Sequence, residues 1–142
     1  MNDIKRIVER VVRKYKTRDP EIIASDMGIV VLYEPLGSLR GYFNTCRRQK
    51  FIHINNSLKW HERRLVTAHE LGHAVLHPNA NTPFMRSCTH FSISRMENQA
   101  NTFAGHLLIP DDELEYYSEY SIDQLAMLYG VPQHIVKLRL GI

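Results

Sequence analysis

A chain of 142 residues, 44% hydrophobic and 23% charged, is too apolar to be disordered and long enough to bury a core without disulfide staples. Its formal charge of +3 is spread along the chain and falls well short of a nucleic-acid tail, and no stretch approaches the roughly 20 apolar residues of a membrane span. Cys46 and Cys88 form no C-x-x-C pair, and the N-terminus is charged where a secretion signal would be apolar. One cytoplasmic domain over 1–142 with reduced thiols is therefore expected.

Apolar Ile4, Ile7, Val8, Val11 and Val12 recur at helical spacing through the first segment. Asp19-Pro20 supplies an N-cap and a proline at the first helical position, opening a short helix that Gly28 ends. Residues 29–33 are β-branched and aromatic, which predicts a strand. Residues 39–44 and 50–54 are expected to pair as a hairpin across a polar turn. Helices follow at about 59–77, 94–108, 111–117, 122–129 and 132–140. The polar loop 78–92 is long enough to suggest a function, such as covering a cleft. Helices, a short antiparallel sheet, then helices argue an α+β fold, with a core over about 1–120 and a helical hairpin over 121–142.

The run His69-Glu70-Leu71-Gly72-His73 carries the chemistry. Residues four apart on a helix lie about 40° from alignment, so His69 and His73 project from one face. Two imidazoles there can bind one zinc ion. Glu70 sits about 100° around the helix, placed to take a proton from a metal-bound water without ligating the metal. Leu65, Ala68, Gly72, Val75 and Leu76 form an apolar stripe beside the histidines. Gly72 costs about 1 kcal/mol against alanine in a helix, which suggests close approach by another element. The bland alternative is a pair of surface histidines with an ordinary glutamate. His77 lies about 12 Å along the helix from His69, too far to share its metal. It reads as a helix C-terminal residue favoured by the dipole, or as a group hydrogen-bonded behind a ligand.

A catalytic zinc site has three protein ligands and one open position. Glu97, on the following helix, is the best third ligand. However, Ser94-Arg95-Met96-Glu97 also fits a capping box, so ligand and cap both stand on spacing alone. Asn101, one turn further on, can orient a ligand histidine through its side-chain oxygen, or simply face solvent.

Taken in order, three stretches resemble the ImmA/IrrE family of metallo-endopeptidases, which are small gluzincins. They are Ile52-His53-Ile54-Asn55, then Ala68-His69-Glu70-Leu71-Gly72-His73 with Leu76-His77, then Glu97-x-x-Ala100-Asn101-x-Phe103-Ala104 with Leu107-Leu108-Ile109-Pro110. The resemblance spans about 41–110. It implies a zincin-like domain in which His69, His73 and Glu97 bind zinc, with manganese as an alternative, and Glu70 is the general base. It further implies an anti-repressor role, since family members from phages and mobile elements cut the helix-turn-helix repressor that keeps the element silent. Gln99 departs from the acidic residue common at its position, and His106 from a common glutamate. His106 then becomes a candidate polar group near the cleft.

The tetrahedral oxyanion of amide hydrolysis needs a donor besides the metal. Tyr42, His53 and His90 qualify by residue type only, and Tyr42 reads more simply as strand packing. The strand before the metal helix, 51–55, either offers an edge to which an extended substrate can add or is a structural strand with a buried face of Ile52 and Ile54. Two rival functions remain. The C-terminal segment has helix-turn-helix-like spacing, with Gln133 and His134 for base edges and Lys137 and Arg139 for phosphates. It reads alternatively as a hairpin that packs on the core or docks the repressor. A metal-binding protein that sequesters a repressor without turnover also fits.

Overall fold

The computed structural model describes residues 2–79 and 90–142, with side chains from 3 to 79 and from 94 onward. Cys88, the His90 side chain and most of the 78–92 loop lie outside the described residues. Helices α1 (Asn2–Tyr15) and α2 (Pro20–Asp26) come first. The Asp19 carboxylate starts α2 by accepting the Glu21 and Ile22 N–H groups. Strands β1 (Val30–Glu34), β2 (Gly41–Cys46) and β3 (Gln49–Asn55) follow. The chain continues through α3 (Trp60–Leu76), α4 (His90–Leu108), α5 (Asp111–Tyr116), α6 (Ile122–Tyr129) and α7 (Gln133–Leu140).

The protein is α+β, but its sheet is mixed where an antiparallel one was expected. The strand order is β1-β3-β2, with β3 antiparallel to β2 and parallel to β1. The predicted hairpin forms around Arg47 and Arg48, both at positive φ (51° and 68°), as a tight two-residue turn requires. It is the insertion of β3 between β1 and β2 that makes the sheet mixed. Local composition does not report which strand sits in the middle. A consequence is that β3, the expected substrate edge, is paired on both sides. Its last four residues, Ile52 to Asn55, are buried. The edges are β1 and β2.

Phe43, Ile52 and Ile54 are fully buried in the same core as Leu71 and Ala68 of α3, and α3 packs on both β2 and β3. Each such aliphatic or aromatic side chain contributes roughly 1.5–3 kcal/mol by leaving water. The other side of α3 packs on α4. A Cβ on Gly72 would lie 3.1 Å from the Ala100 carbonyl oxygen and 3.1 Å from Phe103 Cβ. The glycine therefore lets these two helices approach closely. Helix α6 begins with a capping box in which Ser121 and Gln124 satisfy each other's backbone. Helix α7 then turns back onto α4. No helix among the described residues is long and apolar enough to cross a membrane.

Candidate metal centre

Helix α3 carries His69, Glu70 and His73, and α4 brings Glu97 and Asn101 against them. His69 Nε2 lies 2.9 Å from Glu97 Oε2, and His73 Nε2 lies 2.9 Å from Glu97 Oε1. One ligand atom from each of the three residues falls within 4.8 Å of the others. Glu97 is the eighth residue of α4, because that helix starts at His90 and not at Ser94. It is therefore past the first turn, where free N–H groups need caps, and the capping-box reading fails.

The ring orientations are set from behind. His69 Nδ1 lies 2.6 Å from Asn101 Oδ1, so Nδ1–H donates there and the Nε2 lone pair faces Glu97. His77 Nε2–H donates to Gln99 Oε1 at 2.8 Å. His77 Nδ1 is then free to accept from His73 Nδ1–H at 3.1 Å, which again turns Nε2 toward Glu97. Two lone pairs and a carboxylate this close repel one another unless a cation or a proton lies among them. Two imidazole nitrogens and one carboxylate oxygen form a donor set suited to zinc or manganese. The residues fit a divalent metal.

Electrostatics agree with a crowded site. Burial acts to raise the Glu97 pKa, but His69 and His73, each with a ring nitrogen 2.9 Å from one of its oxygens, outweigh it and hold the carboxyl well below the usual range. Burial acts to lower that of His69, and Glu97 and Glu70 reverse this, raising it. His73 is lowered, chiefly by burial. Glu70 is only 5% exposed, and burial pushes its carboxyl up to about 7 against the pull of His69. Its Oε2 lies 4.0 Å from His69 Nε2, while its buried Oε1 has no hydrogen-bond partner among the described residues. Glu70 thus sits beside the donor set with an oxygen uncommitted.

A cleft of about 370 Å³ opens beside this group. Its walls include Arg40 and Gly41 at the start of β2, Leu65 and Val66 of α3, and His134 and Ile135 of α7. Other expected site residues lie elsewhere. His53 alternates with the inward-facing Ile52 and Ile54, so it projects from the opposite face of the sheet. There it stacks on Tyr42 at 4.0 Å and bonds to Glu34 at 2.5 Å and Asn44 at 2.8 Å. Neither Tyr42 nor His53 lines the cleft. His106 comes nine residues after Glu97, about half a turn around α4. It is pushed down to about 4 by burial, then by Arg139 and Lys5, and it does not line the cleft either.

The C-terminal hairpin also departs from a DNA reader. Arg139, expected at a phosphate, is 7% exposed and donates to the Ile109 carbonyl at 2.6 Å and to Asp111 at 2.5 Å. Gln133 donates to Asp123. His134 lines the metal cleft, which the sequence did not reveal, because no local pattern shows where a hairpin folds back.

The family model of the IrrE N-terminal-like domain, peptidase M78, matches residues 24–141. The chain belongs to this family. Immunity region protein 2 of Bacillus phage phi105 is 42% identical over 139 residues, covering 96% of this chain and 88% of that protein. Metallopeptidase ImmA of Bacillus subtilis (strain 168) is 31% identical over 144 residues, covering 97% and 84% respectively. The ImmA/IrrE resemblance read from the motifs is therefore correct. Among solved structures, a Mycobacterium tuberculosis transcriptional regulator shares the fold with a TM-score of 0.67 at 20% identity, covering 99% of this chain. The chain spans only 47% of that regulator.

Proposed function

We propose that this ImmA/IrrE family member is a zinc-dependent endopeptidase, with manganese as the alternative metal, acting in the cytoplasm on a helix-turn-helix repressor of a phage or mobile element. The observation that carries this reading is the convergence of His69, His73 and Glu97 on one point, with the uncommitted Glu70 carboxylate beside it. His69, His73 and Glu97 would hold a zinc ion, which would supply Lewis acidity to polarise the scissile carbonyl and acidify water. Asn101 holds His69, and the His77–Gln99 pair holds His73, each with Nε2 toward Glu97. Glu70 takes the proton of the attacking water and passes it to the leaving amine. Arg40 and Gly41, where edge strand β2 begins, line the cleft, and an extended segment of substrate can add to β2 as a strand.

The substrate class rests on the relatives. A phage immunity-region protein and a metallopeptidase both match nearly the whole chain, and a transcriptional regulator shares the fold. The test is Glu70→Gln, assayed against the helix-turn-helix repressor of the protein's own element. The variant is expected to keep its metal and cleave the repressor about 10²–10⁴-fold more slowly. An undiminished effect on the repressor would favour sequestration without turnover.

A further inference from the structure

We propose that His134 is a further catalytic residue, whose imidazole N–H stabilises the oxyanion formed on the scissile carbonyl. This rests on the peptidase reading above. In the first step the water oxygen bonds to the carbonyl carbon, the C=O π pair moves onto oxygen, and the water proton goes to Glu70. In the second step the oxygen pair re-forms C=O and the C–N bond breaks. The amine nitrogen keeps that pair and takes the proton from Glu70. Between the two steps the oxygen carries a full negative charge, and a positioned donor there is worth several kcal/mol.

Of the polar side chains that line the cleft, most are committed. Glu97 and Asn101 both lie against His69, Glu70 accepts protons, and Arg40, which is exposed, forms a loose pair with Glu62 at 3.6 Å. His134 lines the cleft, is exposed, and makes no hydrogen bond or ion pair among the described residues. Neutral or protonated, an imidazole always retains at least one N–H donor. The residues around His134 hold it firmly. Its neighbours Ile135 and Val136 are 1% and 0% exposed. The backbone of α7 lies against α4 at Gly105, where a Cβ would stand 3.2 Å from Arg139 Cβ and 3.3 Å from the Ile135 oxygen. Arg139 pins the far end of α7 to Ile109 and Asp111. Helix α4 also carries Glu97 and Asn101, so the helix that bears the third ligand also supports α7 and the proposed oxyanion donor, as a preorganised site requires.

The test uses the zinc-loaded full chain with His134→Ala and His134→Gln, denatured casein as substrate, and two binding probes. One probe is an N-phosphoryl dipeptide, whose tetrahedral oxygens imitate the oxyanion; the other is a mercapto dipeptide, which has none. His134→Ala is expected to lower kcat about 10²–10³-fold at unchanged KM and zinc content. It should also weaken the phosphoryl probe while leaving the mercapto probe alone. His134→Gln, which keeps an N–H donor, should recover part of both losses. Unchanged kcat, a loss confined to KM, or equal weakening of both probes would overturn the assignment. A wild type that holds zinc yet neither cleaves casein nor binds the phosphoryl probe would overturn the peptidase reading itself, and this assignment with it.

Discussion

His69 and His106 are both buried on one side and face charge on the other, yet their proton affinities move in opposite directions. His69 has carboxylates beside it and is raised. His106 has Arg139 and Lys5 nearby, besides its burial, and falls to about 4. An unfolded chain protonates His106 near 6.5, whereas the folded chain resists until about 4. The fold therefore loses stability as pH drops through that window, on the order of 1–3 kcal/mol. Asp111, lowered from 3.8 to about 2 by Lys5 and Arg139, loses its contribution only at lower pH. Urea unfolding at pH 7, 5 and 4 should show the wild type losing more stability than His106→Gln between the first and last values. Parallel curves would contradict this. Residue-level roles were legible where they depended on one element: His69, Glu70 and His73 follow from helical spacing alone. Tyr42 and His53, candidates by residue type only, fall outside the cleft, because strand alternation divides residues between two faces without saying which face meets the site. His134 belongs to tertiary folding and left no local signal.

At the scale of elements, the contact between α3 and α4 brings the two halves of the centre together. Its narrowest point is Gly72, one residue from His73. Alanine there would gain about 1 kcal/mol in helix propensity. Its Cβ, however, would meet the Ala100 oxygen at 3.1 Å and the Ala100 Cα at 3.2 Å, both backbone atoms of a packed helix that cannot swing aside. Gly72→Ala is therefore expected to lose about 1–3 kcal/mol of stability through overpacking and to weaken zinc binding by separating His73 from Glu97. Thermal unfolding and zinc titration read both effects. A more stable variant with unchanged affinity would show that α4 yields. The sequence placed α3 almost to the residue but started α4 late, since Ser94 is a plausible cap and 90–93 lack strong periodicity. That displacement is what left Glu97 ambiguous. The order of the strands was illegible for a related reason: each strand was recognisable, but the partner on its second side lies far along the chain.

For the molecule as a whole, the small sheet, the α3–α4 pair and the C-terminal hairpin meet around one cleft. The sheet presents the β2 edge, the helix pair the donor set, and α7 the free imidazole. The arrangement explains why a segment with helix-turn-helix spacing is not arranged to read DNA here: its arginine is buried and its histidine faces the cleft. The account turns on Glu97 joining His69 and His73 at one metal. Zinc content, measured per chain in the purified wild type and in Glu97→Ala after identical zinc loading and dialysis, tests this directly. About one zinc per wild-type chain, lost from a folded Glu97→Ala, is the predicted result. Zinc retained in Glu97→Ala, or absent from the loaded wild type, would contradict it.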